Sequence, residues 1–140
     1  MIKEFVAAWD KNKPYLEKYF REHTQDQYDS YEKLVGVLFD VVINPAMHYY
    51  NRYDIHKLRV IDDGHYQGTQ IFIIPEDTYQ PNVDEYVYTY IYYGSCSGCD
   101  TLLSINEWDN GLPNDKQVEG YMMLCLHLLQ RCHRMVETEE

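Results

Sequence analysis

The residues best equipped for chemistry in this chain are Cys96 and Cys99, separated by Ser97 and Gly98 and followed by Asp100. Their setting, after a strand pattern and before a helical one, gives two thiols at this spacing several uses. Backbone N–H groups in a first helical turn carry partial positive charge and stabilise a thiolate, which would make a reactive dithiol. The same two sulfurs also supply half of a tetrahedral zinc site. Cys125, His127, Cys132 and His133 are the donors available to complete it, and the metal set expected on that reading is Cys96, Cys99, Cys125 and Cys132. On a third reading residues 94–100 form a tight strand-to-helix turn. Gly94 and Gly98 would then supply the torsions and Ser97 the helix cap, while the cysteines simply pack or cap; a separate use is the loop's backbone amides as a small anion-binding or partner-contact nest.

The dithiol geometry resembles the thioredoxin and glutaredoxin active site, but the rest of the chain argues against that family. Such a domain needs more strands after the motif and a cis-proline loop facing the thiols; the residues after Cys99 read as two helices instead. Asp100 also places a negative charge beside Cys99, which disfavours its thiolate. Cys125 and Cys132 lie seven apart on the helical face of Leu128 and Leu129, the pattern of buried core thiols. Zinc is therefore the one cofactor left open, and the turn is the expected role. No catalytic residues are expected: the six histidines form no sharp pairing, and neither Gly-x-Ser-x-Gly, a Walker loop nor His-Glu-x-x-His occurs.

A second feature is aromatic. The chain has 15 tyrosines, and in residues 85–93 four of them alternate with aliphatic or threonine side chains. Val87, Thr89, Ile91 and Tyr93 line one face of this strand and Tyr86, Tyr88, Tyr90 and Tyr92 the other. Tyrosine contributes contact area at low entropic cost, so these four are the expected interaction residues. The competing expectation is that a helix covers them.

The elements that position these features read as follows. Ile2, Phe5, Val6 and Trp9 mark a short helix, interrupted at Lys11–Lys13, with Pro14 opening a second that carries Leu16, Tyr19 and Phe20. Residues 29–43 form a central helix, stopped by Asn44-Pro45. Residues 57–61 and 69–74 are β-branched runs joined by a turn-rich connection, a hairpin pattern. Ile71 to Ile74 are apolar on both faces, as in a strand covered on both sides. After the third strand come a helix over 100–108 and a last helix capped by Asn114 with Gln117 in the reciprocal position, running through Cys132 and Met135. The fold class expected is α+β: N-terminal helices, a small antiparallel three-stranded meander and two C-terminal helices, in one domain of 140 residues.

The net charge is −11, from 23 acids and 12 bases. A phosphate-gripping protein needs Lys and Arg clusters, so no direct nucleic-acid binding is expected. An acidic surface suits solubility, cationic partners, or competition with nucleic acid for a basic groove. The first residues lack the apolar core of a signal peptide, and no apolar stretch approaches the ~20 residues of a membrane span. A cytoplasmic protein, its cysteines reduced or metal-bound, with no membrane partner, is the expectation.

The runs Phe72-Ile73-Ile74-Pro75, Asp77-Thr78-Tyr79-Gln80-Pro81 and Tyr93-Gly94-Ser95-Cys96-Ser97-Gly98-Cys99-Asp100-Thr101-Leu102 resemble a family of short phage and prophage proteins. The resemblance covers about a quarter of the chain and brings no catalytic residues with it. It implies a phage-type accessory protein acting inside a bacterial cell on a host or phage protein. One version is an acidic inhibitor of a nucleic-acid-binding protein; the alternative is a zinc- or thiol-dependent protein centred on the Cys-Ser-Gly-Cys loop.

Overall fold

The computed structural model describes residues 1–25, 30–64, 67–95, 100–106 and 111–135. Helix α1 spans Ile2–Glu22 and α2 spans Tyr31–Leu38, running on through a π-helical turn at Phe39–Ile43 into a short α3 at Asn44–Ala46. Strands β1 (Arg59–Asp62), β2 (Gly68–Pro75) and β3 (Tyr86–Tyr93) follow, then α4 (Thr101–Ile105), α5 (Asp115–Gln130) and a two-residue β4 (His133–Arg134). The α+β class is as the sequence implies, but the sheet has four strands rather than three, all antiparallel in the order β1-β2-β3-β4.

The N-terminal region is one continuous helix, not the two expected from Pro14. Phe5, Ala8, Trp9, Asn12, Leu16 and Phe20 form an unbroken buried stripe through the proline, which itself faces solvent. A proline inside a helix costs about 3 kcal/mol. Full burial of each large apolar side chain returns roughly 1.5–3 kcal/mol, so the stripe outweighs the proline. Asn12, in the polar stretch that suggested a break, is buried and donates its amide to the Val42 carbonyl at 2.9 Å. That bond lands where the second helix changes its hydrogen-bond ladder to the π form.

The core lies between these helices and one face of the sheet. Phe5, Phe39 and Tyr53 pack edge to face with ring centroids 5.4–6.1 Å apart. Asn44 holds Tyr53 in place, accepting from its N–H at 2.8 Å and donating to its carbonyl at 2.9 Å. From the sheet, Phe72, Ile74, Val87, Thr89 and Ile91 point inward and are buried. Thr89 donates its hydroxyl to the Leu128 carbonyl at 2.7 Å, pinning β3 to α5. β2 departs from the expectation of cover on both sides: Phe72 and Ile74 are fully buried, whereas Ile71 and Ile73 are half-buried.

Helix α5 starts as its capping pair implies. Asn114 accepts from the Gln117 N–H at 2.8 Å and Gln117 accepts from the Asn114 N–H at 2.9 Å. It ends earlier than its apolar spacing suggests. Arg131 leaves the helical region, the Cys132 N–H closes a tight last turn onto Leu129, and the chain extends as β4. Pairing with β3, sealed by Met135 N–H to the Tyr86 carbonyl at 2.9 Å, replaces the helical bonds that would have continued.

Candidate functional site

Cys96, Ser97, Gly98 and Cys99 lie outside the described residues; what flanks them is well defined. Asp100, a buried residue, is the N-cap of α4, in place of the cap expected from Ser97. Its Oδ1 accepts from the Leu103 N–H at 3.1 Å and from the Tyr31 hydroxyl at 2.7 Å, and its Oδ2 accepts from the Gly94 N–H at 2.9 Å. Tyr31 in turn accepts from the Leu102 N–H at 3.1 Å. One carboxylate thus ties the residue before the loop, the helix after it and α2 together. Burial, with the neighbouring Asp100 adding to it, pushes the Tyr31 phenol well above its ordinary range.

The other two expected metal ligands sit in the core. Cys125 and Cys132 are buried free thiols, and Cys132 Sγ lies 3.4 Å from the Leu128 carbonyl. Desolvation drives the Cys125 thiol far above its usual range and that of Cys132 up to about 12, so both hold their protons at neutral pH. The pairing of His133 with Tyr88 sets Cys132 alongside Thr89. Gly94 is five residues further along, about 16 Å at the usual strand rise. Among the described residues no cluster of three or more His, Cys, Asp or Glu side chains is arranged to hold a metal ion.

The tyrosine strand has the two faces that its alternation implies. Its register places Arg59, Ile73, Tyr88 and His133 in one row across the outer face of the sheet. Ile61, Ile71 and Tyr90 make the next row, and Thr69 and Tyr92 the one beyond. No helix among the described residues buries this face: Tyr86, Tyr88 and Tyr90 are half-buried by their neighbours, and Tyr92 and Ile61 are 68% and 51% exposed. Among the described residues the expected covering helix is not found; α5 takes the opposite side of β3 through Thr89.

Hydroxyl bonding separates these tyrosines from those that build the fold. Tyr31 bonds Asp100, Tyr93 bonds Asp62 at 2.5 Å, and Tyr121 bonds Asn106. Among the described residues the hydroxyls of Tyr86, Tyr88, Tyr90 and Tyr92 bond no protein group, which leaves a row of amphipathic tips turned to solvent. Of the tyrosines outside this strand, Tyr53 is in the core, Tyr79 is exposed, and Tyr66 lies outside the described residues. Tyr49 and Tyr50 are exposed beside His48, which lines a separate cavity against α1.

Sequence reasoning missed the charge that borders this face. The Arg131 guanidinium lies over the Tyr90 ring, 5.7 Å from its centroid, and His133 tilts against Tyr88 at 5.4 Å. Arg59 occupies the opposite edge, on β1. The two edges come from distant parts of the chain and meet only through the strand register, so spacing alone carried no signal of them. No helix among the described residues is long and apolar enough to cross a membrane. No family model, curated protein or solved structure matches the chain.

Proposed function

We propose that this chain is a non-enzymatic interaction protein that docks a partner protein on the outer, tyrosine-bearing face of its sheet. The supporting observation is the row Tyr86, Tyr88, Tyr90 and Tyr92, uncovered by any helix and with hydroxyls unbonded to protein among the described residues. Half-buried aromatic rings with free polar tips suit an interface, because they are already ordered and lose little side-chain entropy on binding. The phage-type resemblance puts that partner inside a bacterial cell, as a host or phage protein.

The reading as an acidic mimic of nucleic acid receives less support. Exposed carboxylates are distributed over α1 (Glu4, Asp10, Glu17, Glu22), α2 (Glu32), the π-helical turn (Asp40), the end of β1 and the turn after it (Asp62, Asp63), the β2–β3 connection (Asp77, Asp84) and α5 (Asp115, Glu119). They are not aligned along one element.

The test is affinity capture from a bacterial lysate at physiological salt, run in parallel with wild type and the double variant Tyr88→Ser/Tyr90→Ser. Proteins retained by the wild type and lost by the variant are expected. An identical set on both, or an empty wild-type column, overturns the reading.

A further inference from the structure

We infer that the partner presents an acidic, carboxylate-bearing segment, and that one of its carboxylates enters a cationic groove at the β1 end of the tyrosine face. This inference rests on the reading of that face as a docking surface. The groove, about 500 Å³, is lined by His56, Lys57, Leu58, Arg59, Pro75, Pro81 and Tyr86. Three of these side chains carry or can carry positive charge, and among the described residues none is a carboxylate. Pro75 and Pro81 are rigid walls, and Pro75 pairs in register with Tyr86, so the groove opens onto the tyrosine row.

Such a groove stands out in a chain of net charge −11, where acids outnumber bases 23 to 12. Arg21 is held by Asp115 and Glu17, Arg134 by Glu76, and Lys18 by Glu22. Lys57 and Arg59, both exposed, make no ion pair among the described residues. His56 is shared with a neighbouring cavity that also holds Glu32 and Asp40, so Lys57 and Arg59 are the two cations that the groove keeps to itself.

The far edge repeats the pattern. Arg131 stands over Tyr90 and His133 against Tyr88. Arg59 and His133 end the same cross-strand row, separated by three strand spacings, about 14 Å. An aromatic strip with positive charge on both edges complements an extended segment carrying apolar and acidic side chains.

At physiological salt the Debye length is about 8 Å, so the charge met by such a segment is set by Lys57, Arg59 and Arg131 together with the nearby carboxylates of Asp54, which accepts from the His56 N–H, and Glu76, which pairs with Arg134. A nucleic-acid strand would fit less well. Its phosphates continue beyond these few cations into the surrounding acidic surface, where no counterion release by Lys or Arg offsets the repulsion.

The test uses a dye-labelled short peptide of alternating glutamate and valine, its glutamine counterpart, and a labelled oligothymidylate, titrated by fluorescence anisotropy at physiological salt. Binding of the glutamate peptide is expected to exceed that of the glutamine peptide and of the oligonucleotide by roughly tenfold or more. The double variant Lys57→Glu/Arg59→Glu, both sites being exposed, is expected to keep its far-UV spectrum and melting temperature and to weaken the glutamate peptide by a similar factor. Equal binding of both peptides, unchanged affinity in the charge-reversed variant, or tighter binding of oligothymidylate overturns the inference. The Tyr88→Ser/Tyr90→Ser variant separates the two readings. If it loses lysate partners while Lys57→Glu/Arg59→Glu keeps them, the docking face stands and the acidic partner falls. If it keeps the lysate partners that the wild type captures, the docking face itself falls.

Discussion

The hydroxyl of Tyr31 donates to Asp100 Oδ1 across 2.7 Å, joining α2 to the cap of α4 over 69 residues of sequence. With the Gly94 N–H on the other carboxylate oxygen, this pair fixes both flanks of the Cys-Ser-Gly-Cys segment. Three donors from three parts of the chain converge on this one carboxylate, so it acts as a clamp. In Asp100→Asn, an amide N–H₂ would take the place of one acceptor and face either the Gly94 donor or the Tyr31 and Leu103 donors. A stability loss of about 1–3 kcal/mol is expected, the range for a buried group left unpaired. Urea unfolding of Asp100→Asn, Tyr31→Phe and the double variant reads this directly. The double variant should lose less than the sum of the two, and strict additivity would contradict the clamp.

Pro14 sits in the exposed face of a helix whose buried stripe passes straight through it. Pro14→Ala restores a backbone donor and removes the ring's clash with the preceding turn, at a site where no tertiary contact depends on the ring. It is expected to stabilise the protein by about 1–3 kcal/mol, seen as a raised urea midpoint with unchanged slope. A destabilised variant would show that the proline ring is needed to seat Phe5 and Phe20 together.

What the sequence disclosed follows from the range of the interactions that decide each element. Alternation over residues 86–93 is a local, period-two signal, and both faces of β3 match it. The capping pair Asn114 and Gln117 is local too, and it starts α5 as expected. Cys125 and Cys132 were legible as core thiols because both lie on the apolar face of the C-terminal stretch. β4 was not legible: two residues have no periodicity, and His133 and Arg134 become a strand only because β3 offers an edge. The unbroken α1 was hidden for a similar reason, since packing of its stripe overrules a local breaker. The cationic edges of the sheet are the most non-local feature. Arg59 and His133 share a row only after β1, β2, β3 and β4 have paired.

The buried thiols give a chemical prediction. Cys125 and Cys132 are held protonated by desolvation and shielded by the core. In a Cys96→Ser/Cys99→Ser variant, a thiol-specific chromogenic disulfide at about pH 8 should find no fast-reacting group until denaturant is added, because the thiolate is the attacking species. Two thiols should then appear together with unfolding. Rapid reaction of either under native conditions would mean that the α5 end opens far more readily than its packing implies.

Alkaline pH should unfold the protein from within. Burial pushes the phenols of Tyr53 and Tyr121 and the thiol of Cys132 up to about 12. Unfolded, phenols ionise near 10 and thiols near 8.5. Between those values the unfolded chain has released protons that the folded chain still holds, so rising pH favours unfolding. Stability is full below about pH 8, begins to fall as the unfolded thiols ionise, and drops further from about pH 10 as the unfolded phenols follow. Urea midpoints measured across this span should decline accordingly. A flat profile to about pH 11 would mean that these groups are hydrated in the folded state.

The two faces of the sheet should answer truncation differently. Phe72, fully buried on the inner face, fills space that nothing else can occupy, and Phe72→Ala should cost about 3–5 kcal/mol. Tyr88 and Tyr90 face outward and are held by cross-strand neighbours, contacts worth roughly 0.2–1 kcal/mol each. Tyr88→Ser/Tyr90→Ser should therefore remain folded, with a cost well below that of the single inner-face change, while losing partner capture. That combination, small in stability and large in binding, is the signature of residues kept for contact rather than for folding. If the tyrosine pair instead costs as much as Phe72→Ala, the outer face belongs to the core and the interaction reading loses its footing.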